Sequence, residues 1–272
     1  MIDPQTSVGP QRATFEGLQV RYERRGSLGG DLADLPVVVL HGWGADLAAV
    51  EPIIGELAIA TEVVALDLPG FGQSDPPAEP WDADRYAEFV TGFLDTIGIG
   101  RVHLVGHSNG GRVALCIAAG WPERVGRLLL CDTAGLRPRR PLRYYLRVTI
   151  AKLGRLLGLI GPRGTRLQDA LRARIGSPDY LAAAPAMRET FKLLIASDLE
   201  SRLGSIKATT LLVWGENDED TPLWMGERLE RGIEGAGLVV FEGAGHFAYA
   251  DDRARFGAVA RLFLCEQPRS LG

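Results

Sequence analysis

Residues 104–115 read LVGHSNGGRVAL. An apolar run gives way to a serine set among glycines, and a helix-like run follows. Gly106-His107-Ser108-Asn109-Gly110 fits G-x-S-x-G, the pattern of a serine held in a sharp strand-to-helix turn. Such a turn leaves no room for side chains two residues either side of the serine, and Gly106 and Gly110 meet that need. Gly111 lets the helix pack closely. The helix N-terminus offers unpaired N–H groups and a favourable dipole to a developing negative charge. A serine that merely caps a helix would also fit the pentapeptide. Its surroundings decide between the two.

Buried-strand patterns stand on both sides. LPVVVLHGWG (35–44), EVVALDLPGFGQSDPP (62–77), RVHLVGHS (101–108), VGRLLLCDTAG (125–135), TTLLVWGEND (209–218) and GLVVFEGAGH (237–246) each carry a continuous apolar run. That is the signature of strands covered on both faces in a parallel sheet. Helices are expected at 46–58, from a cap at Asp82 or Asp84 to about 97, at 109–119, at about 222–232 and at about 252–265. Residues 13–25 alternate like a hairpin or an edge strand. The alternation predicts an α/β fold with a mostly parallel, doubly covered sheet. It stops between 136 and 205, where a helical pattern broken by Pro and Gly reads as an inserted cap. The core then comprises 1–135 and 206–272.

The chain has 272 residues, of which 46% are hydrophobic and 24% charged, enough for one large domain with an insertion. A net charge of −4 gives no reason to expect a nucleic-acid partner. Cys116, Cys131 and Cys265 are odd in number and widely spaced, and the first two sit in apolar segments, so they read as buried free thiols. No CxxC or His/Cys cluster suggests a metal. The N-terminal stretch MIDPQTSVGPQRATFEG lacks the basic and apolar regions of a signal peptide, and a cytoplasmic protein is expected.

A serine hydroxyl needs a base. The candidates are His41, His103, His107 and His246. His103 falls inside a strand, His107 points away from the serine beside it, and His41 begins a loop. His246, in EGAGHFAYADD, follows the last strand at the C-terminal sheet edge, where Ser108 also lies. It is the expected base. An acid must orient it, and WGENDEDTP offers Glu216, Asp218, Glu219 and Asp220, among which spacing does not choose. The oxyanion donors are expected to be the N–H groups of Asn109 and of Trp43 in HGWG. The Trp43 ring suits either the acyl pocket or simple packing.

In these ordered motifs the chain resembles the α/β-hydrolase superfamily, in its capped serine-hydrolase branch. The resemblance covers nearly the whole chain outside the cap and implies the Ser…Asp…His order. It also implies that the acid stands four residues before a proline, which selects Asp218 ahead of Pro222, with Asp220 as the fallback. Dehalogenases and epoxide hydrolases of this fold carry aspartate where Ser108 stands, and HGWG departs from the lipase-type HGGG. The implied chemistry is acyl transfer to Ser108 and then to water, with no cofactor or metal. The leading expectation is a carboxylic-ester hydrolase acting on a small-molecule acyl compound. The alternatives are a carbon–carbon bond hydrolase of aromatic meta-cleavage products, a perhydrolase or an acyltransferase. A receptor that has lost catalysis is disfavoured by the complete triad.

Residues 137–205 hold 12 Arg and 2 Lys against 5 Asp and Glu, a local balance of +9. Within them, 141–161 place Leu142, Leu146, Thr149, Leu153, Leu157 and Ile160 on one stripe. The plain expectation is a cap helix over the active site. A basic amphipathic helix also suits contact with a membrane surface or an amphipathic substrate. Alternatively, a cap arginine clamps a substrate carboxylate. Oligomeric state leaves no trace in the sequence.

Overall fold

The computed structural model describes residues 9–28, 35–137 and 184–265. Eight strands form one sheet in the order β1-β2-β4-β3-β5-β6-β7-β8. They are β1 (Gly9–Phe15), β2 (Leu18–Arg25), β3 (Val37–Leu40), β4 (Val63–Leu66), β5 (Val102–His107), β6 (Val125–Cys131), β7 (Thr209–Gly215) and β8 (Gly237–Phe241). β1 and β2 form an antiparallel hairpin, β2 pairs antiparallel with β4, and the remaining pairs are parallel. The hairpin turns at Glu16 (φ 48°) and Gly17 (φ 78°), the two left-handed positions a tight two-residue turn requires.

Alternate side chains of the parallel strands feed two cores. Val38 and Leu40 of β3, Leu104 of β5, Leu128 and Leu130 of β6 and Trp214 of β7 pack into one, with α2 (Ala83–Thr96) and α3 (Asn109–Gly120). Val37, Val39, Val105, Leu129, Cys131 and Val213 pack into the other, with α1 (Glu51–Leu57) and α7 (Arg253–Cys265). Each fully buried Leu or Val contributes about 1.5–3 kcal/mol. The continuous apolar runs follow from this double burial.

Asp82 caps α2, its carboxylate accepting the N–H of Arg85 at 2.8 Å. The helix expected over 46–58 is shorter: residues 47–50 form turns, and α1 begins at Glu51, with Pro52 in its first turn. β6 and β8 also stop early, at Cys131 and Phe241, because the chain breaks there to build the site. The three cysteines are buried. Of the expected insertion, α4 (Pro185–Ala196) and a 3-10 turn at Glu200–Ser205 are described, followed after β7 by α5 (Trp224–Gly232) and after β8 by a short α6 (Ala248–Asp251). The amphipathic stretch 141–161 and most of the expected cap lie outside the described residues. Among the described residues no helix is long and apolar enough to cross a membrane.

Candidate active site

Ser108 stands between β5 and α3 at φ 51° and ψ −116°, a conformation costly for any residue but glycine. The surrounding backbone over-determines it. Its N–H donates to Cys131 O at 3.1 Å, and its carbonyl accepts from the N–H of Ala134 at 3.0 Å and of Arg112 at 3.2 Å. A Cβ on Gly106 would meet the Gly111 backbone, and one on Gly110 would run into the carbonyls of Leu40 and His41. Both glycines are therefore steric requirements of the turn.

His246 reaches the serine from the far edge of the sheet. Beyond β8 the chain turns at Gly243 (φ 74°). It is laced to the acid-bearing loop where Asn217 N–H donates to Ala244 O at 2.8 Å and Glu216 N–H to Phe241 O at 3.1 Å. His246 Nε2 lies 3.0 Å from Ser108 Oγ, and Nδ1 lies 2.8 Å from Asp218 Oδ2. Asp218 Oδ1 accepts the N–H groups of Asp220 at 2.8 Å and Thr221 at 2.9 Å, and Oδ2 is 2.6 Å from the Thr221 hydroxyl. Nδ1 thus donates to a fully partnered carboxylate, leaving the Nε2 lone pair to accept from Ser108.

The electrostatics fit that arrangement. Burial works against a charged His246, but the hydrogen bond and charge of Asp218 outweigh it and raise its pKa. Burial likewise opposes an ionised Asp218, yet the hydrogen bonds from His246 and Thr221 hold its carboxyl below the ordinary range. His107 is different: burial, aided by the proximity of His246, lowers it to about 3. It stays neutral, and its Nε2 donates to the backbone carbonyl of His246 at 2.8 Å. His41 and His103 serve the core, accepting the N–H groups of Leu68 and Arg127 at 3.0 Å each.

A cavity of about 370 Å³ opens over Ser108 and His246. Trp43 and Asn109 line it, and among the described residues no acceptor takes the backbone N–H of either. The Trp43 ring packs against Phe71 and against Phe191 of α4, with centroids 4.9 Å apart in each case. Phe191, Leu194 and Ile195 place α4 along one wall. Asp218, Asp220 and His246 hold ligand atoms within 4.8 Å of one another, as a metal site would require. However, both oxygens of Asp218 and both nitrogens of His246 are already engaged in the hydrogen bonds above.

Three residues here escaped the sequence reading. Thr221 bonds the acid, Asp132 braces both loops, and Arg112 lines the cavity. Two of them left a signal: Asp132 is a polar residue directly after a buried strand, and Arg112 is an arginine inside the largely apolar α3, whereas Thr221, in the polar loop beyond β7, left none.

The sequence signature of the alpha/beta hydrolase family matches residues 37–259, and the chain belongs to that family. It is 30% identical over 84% of its length to the 2-hydroxy-6-oxononadienedioate/2-hydroxy-6-oxononatrienedioate hydrolase 1 of Pseudomonas putida, covering 87% of that protein. A membrane phospholipase A, a bacterial virulence factor, superposes with a TM-score of 0.74 at 29% identity, covering 94% of this chain and 85% of that one. A thermophilic esterase from Thermogutta terrifontis superposes with a TM-score of 0.69 at 26% identity, covering 93% of this chain and 98% of the other.

Proposed function

We propose that this chain is a serine hydrolase that breaks a carbon–carbon bond beside a ketone in an unsaturated keto acid. The carrying observation is the Ser108–His246–Asp218 relay beneath a cavity, in a chain 30% identical to a hydrolase of 2-hydroxy-6-oxo dioates. Such a compound is named for a hydroxyl, a ketone and two carboxylates, without an ester, so water must divide its carbon skeleton. The sequence motifs alone favoured an ester. The name of this relative supports the carbon–carbon alternative more.

In this reading Ser108 Oγ bonds to the ketone carbon as His246 Nε2 takes the hydroxyl proton. The N–H groups of Trp43 and Asn109 hold the oxyanion. Collapse breaks the carbon–carbon bond, its electron pair stays on the leaving carbon, and the His246 imidazolium protonates that carbon. Conjugation of the leaving fragment with its second carbonyl makes the departure feasible. Water, deprotonated by His246, then releases the acid and restores Ser108. The segment 136–205, with α4 as its described part, would act as the cap that selects the substrate.

The test is incubation with 2-hydroxy-6-oxonona-2,4-dienedioate, following loss of the conjugated chromophore and formation of two acids. Turnover that disappears in Ser108→Ala supports the reading; no turnover by active protein ends it. Ester hydrolysis is the second reading, favoured by the likeness to the Thermogutta esterase. Serine-dependent cleavage of 4-nitrophenyl esters without cleavage of the keto acid would select it.

A further inference from the structure

Arg112 lies one helical turn past Ser108 on α3, within a run buried from Asn109 to Ala118. It is only 5% exposed, yet it lines the cavity. Its Nε has no hydrogen-bond partner, and among the described residues no carboxylate pairs with it. Burial lowers its pKa to about 10, so it keeps its charge at neutral pH. A guanidinium withdrawn from water without a counter-ion is costly to the fold.

Asn109 stands three residues earlier, on the same face of α3. It also lines the cavity, and its Nδ2 is likewise buried without a partner. Two unpaired donor groups, one charged, therefore border a cavity whose other walls include Leu136, Leu194 and Phe191.

We infer that Arg112 and the side-chain amide of Asn109 form a carboxylate-binding subsite, which makes Arg112 a specificity-determining residue for an acidic substrate. A planar guanidinium matches a carboxylate with two parallel N–H donors, which a lysine does not reproduce. The subsite is separate from the backbone N–H pair assigned to the oxyanion, and it belongs to the core helix α3, not to the arginine-rich insertion. The inference rests on the serine-hydrolase reading but not on which bond is cleaved.

The test compares 4-nitrophenyl monoesters of glutaric, adipic and pimelic acids with 4-nitrophenyl pentanoate, hexanoate and heptanoate. At the chain length that spans Ser108 and Arg112, the acidic ester should have the higher kcat/KM by about 10- to 100-fold. Arg112→Met should abolish that preference, mainly through KM, and Arg112→Lys should restore part of it. Should Arg112→Met fold poorly, the unmodified protein still decides. Adipate or pimelate should protect Ser108 from a fluorophosphonate, and the corresponding neutral diamide should not. Preference for the neutral ester at every length, or equal losses on both series in Arg112→Met, overturns the subsite. Failure to cleave the keto acid, with the acidic-ester preference intact, would remove the carbon–carbon reading and leave the subsite standing.

Discussion

Asp132 Oδ2 accepts the backbone N–H of Ala248 at 3.0 Å, two residues beyond His246. Its Oδ1 accepts the N–H of Gly215 at 2.7 Å, three residues before Asp218. One fully buried carboxyl thus ties the end of β6 to both loops that carry the partners of Ser108. In Asp132→Asn the amide nitrogen cannot accept, so at least one buried N–H is orphaned at a cost of about 1–3 kcal/mol. We expect a lower melting temperature and a slower reaction of Ser108 with a phosphonate, reflecting a loosened His246. Wild-type values for both would show the brace to be dispensable.

The same carboxyl sets a pH dependence of stability. Burial raises its pKa from 3.8 to about 7, against the two N–H donors. The folded state then holds a proton that the unfolded state has lost. The resulting stabilisation is fully present below pH 3.8 and is lost as pH rises through about 7. The stability difference between wild type and Asp132→Asn should therefore narrow across that window in denaturant titrations, and a pH-independent difference would contradict this.

Asp218→Asn tests the tautomer. An amide can present its N–H₂ to Nδ1, which places the ring proton on Nε2 and removes the lone pair that Ser108 needs. A loss of roughly ten-thousandfold in kcat is expected, with the fold retained. The wild-type profile of kcat/KM should rise with pH through a group above the ordinary histidine value of 6.5, because His246 must be neutral to act as base and its pKa is raised. Weakening the anionic partner should move that limb to lower pH in whatever residual activity Asp218→Asn retains. A limb below 6.5 in the wild type would show that Asp218 does not outweigh burial at His246.

The strands were legible in the sequence because double burial leaves uninterrupted runs such as Val37–Leu40, and the elbow because steric need leaves glycines at fixed offsets. Ser108 could be read from its glycines, and His246 from its place after the last strand. The acid could not, since Glu216, Asp218, Glu219 and Asp220 crowd one loop, and the family resemblance had to choose. The structure brings Asp218 to His246 and turns Glu216 toward the N–H of Gly243. The roles of Asp132 and Arg112 stayed hidden because they come from partners on distant loops and from a cavity wall, and Thr221 stood unremarked among the polar residues of the acid's own loop. A single sequence does not encode either as a local pattern.

Gly110→Ala isolates the steric requirement of the elbow. The added methyl would meet the carbonyls of Leu40 and His41, which are main-chain atoms at the end of β3 and cannot swing aside. Relief requires α3 to back away from β3 or the 41–44 loop to shift. Overpacking of this kind costs about 1–3 kcal/mol. Either movement also displaces the backbone N–H of Trp43 or Asn109, so turnover should fall further than stability accounts for. Gly120→Ala, at the far end of the same helix, is the control: a Cβ there meets nothing within 4 Å and its φ is not positive. It should leave turnover unchanged and stabilise the fold by about 0.4–1 kcal/mol, since alanine restricts the unfolded chain. Thermal melts and steady-state rates on the two variants separate the cases. Equal behaviour of Gly110→Ala and Gly120→Ala would mean that the elbow tolerates a side chain and that the glycine is not what shapes it.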